Sequence, residues 1–575
     1  MLSRNVVLFC CFLFFICCAQ AEPEILFNNN QPEKDFNIIE KNYVGIKRDI
    51  DASAYDSIFV QLENLNPRPL DLNLEIKDSD SKDYWSRVNY YFTASSGHSL
   101  VRIPLQLHVG DVSRPGRLIN LKKIVSVILA KVNVSTSIQD LKIQKIYFDK
   151  DISIVPDGVY AFDFGAADTP VFPGFIGVTD QAQYSKKIGY GFENAKFWTP
   201  YLHAEDSLQP DSLYRDAVFI PQGVFKVDLP NEVYSVILNL DFSSGYWGEF
   251  PLFKKRKVFI QNKEVLNLTL SRDQAAARYF QFSQNDDSVD DDFFSKYYGS
   301  IFKEYKLSTV VSNGQLEIRF EGDNCAENPC FGMALTSLII IPSKLKEKEN
   351  TFLANLLKQR KKEFQQNFSF TFKSTLAVPP AEKTGVKWFK YPLMNDLPET
   401  HFPARFDSKP IELTLLRGQT SSASIAVVNF DSDARFTIKT EKKSSFAIKA
   451  WPVSRLITRL QPAGKSFTVA ERYLSTDNSF LIKRNRNRRV WLEATAENLP
   501  PGTYSSLVTV SSAKSILKIP IHLKVLNWAL PAVDFPVGPF NSTIQESWWF
   551  AGENNFREEK LLQQSFKMMN SVGLT

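Results

Sequence analysis

The chain has 575 residues, with 68 basic and 63 acidic side chains, which leaves a formal net charge of +5. This length suggests three or four domains rather than one, and so small a net charge does not indicate a nucleic-acid partner. Phenylalanine and tyrosine are abundant, and short runs of Val, Ile, Leu and Phe recur between clusters of Pro, Asn, Asp and Gly. That pattern is typical of many short strands joined by turns. The composition therefore predicts a mainly β protein.

Residues 1–21 have the order of a secretory signal peptide. Arg4 gives a positive n-region, residues 6–18 form an apolar h-region, and Ala19-Gln20-Ala21 offers small residues at the cleavage positions. A membrane anchor is the alternative, but this apolar run is too short to cross roughly 30 Å of hydrocarbon. No later stretch predicts a membrane span. We therefore expect a protein that is secreted or located at the cell surface or in the periplasm.

Residues 22–150 predict a first β-sandwich, because apolar and polar residues alternate as in antiparallel strands with one wet face. In the closing strand we expect Ile146 and Phe148 on one face and Ile143 and Tyr147 on the other. Residues 151–344 predict a second β-rich unit. The clearest strand patterns are found at 57–62, 70–76, 100–105, 159–164, 234–238, 316–320 and 338–342.

Residues 345–366 break this rhythm and predict a linker helix, since their apolar side chains recur at a helical period. That apolar stripe consists of Phe352, Leu353, Leu356, Leu357 and Phe364. Residues 367–530 return to strands, where Trp491 and Trp528 stand in strand-like contexts and are expected in the core. Residues 531–575 follow the order strand, loop, helix, strand, which is the opening of a βαβ pattern. We expect the start of a (β/α)8 barrel that is truncated at residue 575.

Cysteine and charge patterns add further expectations. Cys325 and Cys330 remain after removal of the signal peptide, and their spacing predicts a local disulfide in an oxidising compartment. No metal site is predicted there, because further ligands are missing. The acidic run 286–292 lacks an EF-hand spacing, so we expect a solvated loop, with structural calcium as the alternative and no other cofactor. The basic runs 254–257 and 483–489 are expected as solvated loops or charged strand edges, with polyanion binding as the alternative.

Three stretches resemble carbohydrate-associated modules. Residues 22–150, through Tyr147-Phe148-Asp149, are similar to a galactose-binding-like jelly roll of the carbohydrate-binding-module kind. Residues 151–344, through Phe162-Asp163-Phe164-Gly165 and Tyr190-Gly191-Phe192, resemble malectin-like sandwiches. The stretch that ends in Asn527-Trp528-Ala529-Leu530-Pro531 resembles the sandwich before the barrel of glycoside-hydrolase-like proteins. The resemblance implies tandem sandwiches that accompany a sugar-cleaving barrel.

Sugar binding requires an aromatic platform for the C–H face of the ring and polar side chains for its hydroxyls. The alternative for each aromatic candidate is packing in the core or in a loop. No catalytic constellation is found, because the five histidines lack metal-ligand spacing and no nucleophile elbow or phosphate-binding loop occurs. The carbohydrate-binding candidates are Trp85, Arg87, Tyr190, Trp198, Trp247, Trp548 and Trp549.

Two hypotheses follow. The first is a secreted carbohydrate-active protein whose sandwiches bind a polysaccharide or glycan beside a glycoside hydrolase barrel that is mostly absent from this chain. The alternative is a non-catalytic surface protein with a glycan-binding or structural role.

Overall fold

The computed structural model describes residues 23–28, 38–39, 43–65, 70–94, 97–111, 114–132, 141–197, 211–241, 253–271, 274, 286–299, 303–323, 333–367, 369–370, 384–403, 405–406, 409–441, 446, 448–459, 466–496, 499–529 and 563. The predicted signal peptide, the Cys325–Cys330 disulfide and, apart from Gln563, the predicted barrel start lie outside these residues. Among the described residues, no helix combines the length and the hydropathy needed to cross a membrane. The chain is mainly β, as its composition predicted.

The first sandwich packs a four-stranded sheet, β1-β11-β4-β7, on a seven-stranded sheet, β2-β3-β10-β5-β6-β8-β9. Alternate residues of both sheets enclose one apolar core, as the period-two pattern requires. Its strands are β1 (Glu24–Asn28), β2 (Ile38–Ile39), β3 (Tyr43–Ile50), β4 (Ser57–Asn64), β5 (Leu70–Asp78), β6 (Val88–Ala94), β7 (Gly97–Pro104), β8 (His108–Asp111), β9 (Arg114–Leu118), β10 (Ile124–Lys131) and β11 (Leu141–Asp149), with 3-10 helices at Tyr84–Ser86 and Leu121–Lys123.

Strand β11 departs from the simple alternation that its sequence suggested. Ile146 and Phe148 are buried together, as expected, but Ile143 is buried in the same core rather than on the face of Tyr147. The register between β11 and β4 shifts between Ile143 and Lys145. Such a β-bulge inserts one residue and reverses the facing of everything beyond it. The prediction for Ile143 was therefore wrong.

The second sandwich pairs two five-stranded sheets, β13-β12-β23-β17-β20 and β14-β16-β21-β18-β19, beside a short sheet of β15 and β22. Its core contains four mutually packed phenylalanines, Phe162, Phe164, Phe192 and Phe225. Its strands are β12 (Tyr160–Phe164), β13 (Ile176–Val178), β14 (Tyr190–Lys196), β15 (Val218–Phe219), β16 (Gln222–Asp228), β17 (Val233–Asn239), β18 (Phe253–Ile260), β19 (Lys263–Leu270), β20 (Glu304–Val310), β21 (Gln315–Gly322), β22 (Ala334–Leu335) and β23 (Ser337–Pro342), with a π-helix at Phe294–Tyr298 and a 3-10 helix at Ser343–Leu345.

The basic run 254–257 lies inside β18, an interior strand between β21 and β19. Arg256 is buried, with its Nη1 2.9 Å from Asp241 Oδ1 and its guanidinium 3.8 Å from the Phe253 ring centroid. The expectation of a solvated loop or charged strand edge is wrong for Arg256, which is paired and desolvated within the sandwich, whereas Lys254 and Lys255 are exposed.

Helix α1 (Lys346–Asn367) occupies the place predicted for the linker helix. Phe352 and Leu356 pack on the outer face of β23, and Phe364 contacts Phe294 and the third sandwich. Leu357 is 45% exposed, so the contact stripe is narrower than predicted.

Polar residues of α1 also form hydrogen bonds and ion pairs with the first and second sandwiches. Arg360 Nε donates to Asp211 Oδ2 at 3.0 Å. Arg102 of the first sandwich lies 3.4 Å from Glu363 Oε1 of the helix, and its Nε donates to Asp151 at 2.6 Å. The helix therefore contacts all three sandwiches.

The third sandwich packs a six-stranded sheet, β24-β30-β29-β32-β27-β25, on a five-stranded sheet, β26-β34-β33-β28-β31. One apolar core lies between the sheets, and a second apolar cluster forms where residues 389–406 cover the outer side of β27. Its strands are β24 (Ser369–Phe370), β25 (Val386–Lys390), β26 (Ile411–Arg417), β27 (Thr420–Asn429), β28 (Ala434–Thr440), β29 (Ile448–Arg459), β30 (Ser466–Leu474), β31 (Ser479–Ile482), β32 (Arg486–Thr495), β33 (Gly502–Ser511) and β34 (Ile516–Ala529).

The acidic run 286–292 of the second sandwich docks on the basic run 483–489 of the third. Asp286 accepts two hydrogen bonds from the Arg488 guanidinium, at 2.5 and 2.6 Å. Asp290 accepts in the same two-pronged way from Arg486, with Nη2 to Oδ1 at 2.7 Å. Both runs were predicted to be solvated, and parts of each are instead paired with the other, while Asp290 and Asp292 keep about half of their side-chain surface exposed. Arg486 and Arg488 are the cations that meet the carboxylates of Asp290 and Asp286.

Candidate carbohydrate-binding surfaces

The turn between β5 and β6 presents Trp85. Asp83 caps the 3-10 helix Tyr84–Ser86 by accepting hydrogen bonds from the backbone N–H groups of Trp85 (3.1 Å) and Ser86 (3.0 Å). The Ser86 hydroxyl accepts from the Asp83 N–H at 2.8 Å, which completes a capping box. The Ser86 hydroxyl is also the main cause that lowers the pKa of Asp83. This locally fixed turn leaves the Trp85 side chain 43% exposed.

A buried carboxylate, Asp78, anchors the base of this turn. It accepts two hydrogen bonds from the Arg117 guanidinium (2.6 and 2.7 Å), one from the Asn120 N–H (2.8 Å) and one from the Ser81 hydroxyl (2.9 Å). Burial by itself would raise the pKa of Asp78, but these bonds, led by Arg117, lower it to about 2. Asp78 is therefore ionised at neutral pH and holds the turn on the sheet.

Arg87 is linked to Trp85 through the Tyr84 ring, which both side chains contact. Its Nη1 is 2.5 Å from Glu75 Oε2, and its Nε donates to Asn89 Oδ1 at 3.0 Å. Its guanidinium lies 5.4 Å from the centroid of the Tyr84 ring, which meets the Trp85 ring edge-on at 4.9 Å. We call these five residues, Glu75, Tyr84, Trp85, Arg87 and Asn89, the Trp85 platform.

The platform combines the two kinds of group that a sugar needs. The exposed indole of Trp85 offers an apolar face, and the Arg87–Glu75 pair lies on the other side of Tyr84, with the two side chains 19% and 13% exposed. Because Arg87 is held by Glu75 and Asn89, its guanidinium is prepositioned rather than free to move. The structure thus brings together two of the predicted candidates and adds Glu75 and Tyr84, which the sequence alone did not single out.

Tyr190 lies in a different setting. It begins β14, is half-buried, and packs against the core of the second sandwich with its ring centroid 5.2 Å from that of Phe162. Its ring therefore supports the core edge rather than offering an open face. Trp198, Trp247, Trp548 and Trp549 lie outside the described residues.

The third sandwich contains a cleft that sequence reasoning missed. It has a volume of about 270 Å³ and lies between residues 393–396 and the strands β29, β30 and β32. We call it the Trp491 cleft. Its lining includes Met394, Glu471, Arg472, Leu474, Arg489 and Trp491.

Two tryptophans predicted for the core of the third sandwich lie elsewhere. Trp491 is only half-buried, because Val490 and Leu492 on either side of it face the core and strand alternation turns Trp491 outward. Trp528 is 75% exposed, since β34 continues past Val525, where its pairing with β33 ends. The strict alternation of apolar and outward-facing positions over residues 490–492 could have shown from the sequence that Trp491 faces away from the core.

Comparison with known proteins links the second sandwich to carbohydrate-associated families. Residues 160–244 match the family model described as beta-agarase/YXIM esterase-like, galactose-binding domain-like. The uncharacterized esterase YxiM of Bacillus subtilis (strain 168) is 36% identical over 88 residues, which are 14% of this chain and 21% of that protein. The chain thus spans about a fifth of the length of this curated relative. Residues 160–244 are therefore similar to a galactose-binding-like domain.

Solved structures share shorter or looser similarity. A family 123 glycoside hydrolase from Clostridium perfringens is 14% identical with a TM-score of 0.27, over 33% of this chain and 36% of that chain. A calcium-binding mutant of Bacteroides uniformis beta-glucuronidase 2 is 12% identical with a TM-score of 0.20, over 50% of this chain and 28% of that chain. With TM-scores this low, the similarity does not amount to a shared overall fold.

Proposed function

We propose that this chain is a secreted carbohydrate-active protein whose sandwiches bind a glycan, with the Trp85 platform as the principal contact. The observation that carries the proposal is an indole that is 43% exposed and meets Tyr84 edge-on, with the prepositioned Arg87–Glu75 pair next to the Tyr84 ring. The galactose-binding-like match over residues 160–244 supports a carbohydrate role for the neighbouring domain.

The expected mode of binding follows from the chemistry of the platform. The C–H face of a sugar ring stacks on Trp85, and its hydroxyls exchange hydrogen bonds with the exposed edges of Arg87 and Glu75. The capping box and the Asp78 anchor hold the turn before the ligand arrives, so little ordering entropy is lost on binding.

Two finer parts of the proposal concern location and catalysis. Export rests on the order of charge, apolar run and small residues in residues 1–21. Glycoside hydrolase activity rests on the βαβ-like pattern of residues 531–575 and on the resemblance of the preceding sandwich. In such a barrel the catalytic carboxylates stand at the C-terminal ends of strands.

A glycan array probed with the full chain tests binding. We expect a restricted set of neutral glycans to bind the wild type, and the Trp85→Ala variant to lose that signal. Trp528→Ala is the matched control, because Trp528 is also an exposed tryptophan but lies on the third sandwich. Absence of any glycan signal from the folded wild type would favour the rival hypothesis of a purely structural surface protein.

A further inference from the structure

We propose that the Trp491 cleft is a second glycan-binding site, which accepts one neutral sugar ring. It shares its ligand class with the proposed function but lies in a different sandwich from the Trp85 platform. Experiments can therefore disprove glycan binding at one site without disproving it at the other.

The first support is a rigid polar wall. Arg489 is buried, and its Nε donates to Glu471 Oε2 at 2.7 Å while its Nη1 donates to Ser424 Oγ at 2.9 Å and Pro392 O at 3.0 Å. These bonds fasten the segment that begins at Pro392 to the sheet. The cleft is thus preformed, which lowers the cost of binding a small ligand.

The second support is an acceptor that lacks a donor. The Glu471 side chain is only 7% exposed, and its Oε2 accepts from Arg489 and from the Leu397 N–H at 3.2 Å. Its Oε1 accepts no hydrogen bond from the residues that the structure describes, and Arg455 Nη2 is 3.8 Å away. An enclosed carboxylate oxygen without a donor is unfavourable. Because Oε1 has almost no accessible surface, a ligand hydroxyl relieves this state only where a side chain of the cleft wall moves to admit it.

The third support is the balance of apolar surface, charge and size. Trp491 offers an aromatic wall, and Met394 (93% exposed) and Leu474 (40% exposed) form an apolar lip. Two acidic residues, Asp396 and Glu471, face two basic ones, Arg472 and Arg489, so the lining has no net charge. About 270 Å³ lies just below the range of drug-sized pockets. A single neutral, hydroxyl-rich ring with an apolar face fits these features better than an ion.

Fluorine NMR of the full chain labelled with 5-fluorotryptophan tests the proposal. The chain has nine tryptophans, and the resonance of Trp491 is assigned from the Trp491→Phe variant. The probes are the methyl glycosides of galactose, glucose and mannose, with galacturonate as a charged comparison, each titrated to ~20 mM, which detects a Kd of about 1 mM.

We expect at least one methyl glycoside to shift the Trp491 resonance, and Leu474→Arg, at the lip, to weaken that shift at least about 10-fold. Leu481→Arg is the control, because Leu481 is equally exposed (41%) but lies on β31 of the opposite sheet, and it should leave the shift unchanged. No shift at Trp491, a shift that survives Leu474→Arg, or a response to galacturonate alone would overturn the proposal. The Trp85 resonance in the same spectra reports separately on the platform.

Discussion

The joint between the second and third sandwiches depends on Asp287. Its fully buried carboxylate accepts hydrogen bonds from Lys296 Nζ (2.6 Å), the Tyr297 hydroxyl (2.6 Å) and the Ile457 N–H of β29 (2.7 Å). Asp287→Ala leaves the Tyr297 hydroxyl and the Ile457 N–H without this acceptor, while Lys296 keeps Asp291 as its carboxylate partner at 2.8 Å. Each buried polar group left unsatisfied costs about 1–3 kcal/mol, so the loss of both costs about 3–5 kcal/mol. We therefore expect this variant to weaken the joint by about that amount.

Asp290→Ala provides the matched comparison in the same acidic run. Its carboxylate is 44% exposed and pairs with Arg486 at 2.7 Å. Pairs at the surface contribute about 0.2–1 kcal/mol, because water screens them and the side chains lose entropy. The two aspartates thus differ in burial far more than in partner type. We expect the free energy lost in Asp287→Ala to be at least threefold that lost in Asp290→Ala.

Scanning calorimetry of the full chain measures both variants, since a protein of several domains has no single two-state transition. In Asp287→Ala the transitions of the second and third sandwiches should separate and move to lower temperature. Asp290→Ala should retain the wild-type profile within a few degrees. Equal, small shifts in the two variants would refute the view that the buried carboxylate couples the domains.

Three further predictions concern single positions. Asp78 has its pKa lowered to about 2, so it contributes stability above pH ~4 that is lost as the pH falls through 2. Asp78→Asn should therefore lose roughly 2–3 kcal/mol in urea denaturation at pH 7, and the difference from wild type should shrink below pH 3. Burial raises the pKa of Asp216, and its carboxyl titrates together with that of buried Asp163, so the stability linked to the protonated form is present below pH ~4 and lost as the pH rises. Asp216→Asn should flatten this dependence, and an unchanged pH profile would contradict it. Gly165→Ala would place Cβ 1.9 Å from Asp216 Oδ2, and we expect a loss of about 1–3 kcal/mol in thermal unfolding. Gly299→Ala, whose Cβ meets nothing closer than 3.9 Å, should have almost no effect.

Local patterns predicted most of the strands and the helix. Alternation placed β4, β5, β17 and β21 close to their observed bounds, and the helical period of residues 345–366 matched α1. These features depend on near neighbours in sequence, which a periodicity reports directly.

Features that depend on distant residues were not predictable in this way. The acidic run 286–292 and the basic run 483–489 each look solvated alone, and their ion pairs are formed by tertiary contacts between residues about two hundred positions apart. The β-bulge that turns Ile143 toward the core is not visible in the residue types or in the alternation of the sequence. The proximity of Trp85 and Arg87 was accessible because only Ser86 separates them in sequence, whereas Glu75 reaches Arg87 only through the β5–β6 register.

Isothermal titration of the full chain with the strongest glycan from the array tests the central claim most directly. Stacking on Trp85 buries ~60 Å² of indole and ligand surface, or about 1.5 kcal/mol, which corresponds to a roughly 10-fold change in Kd. The platform predicts that Trp85→Ala raises the Kd at least about 10-fold while Trp528→Ala leaves it unchanged. Equal affinity of the wild type and Trp85→Ala would contradict the Trp85 platform as the site of glycan binding.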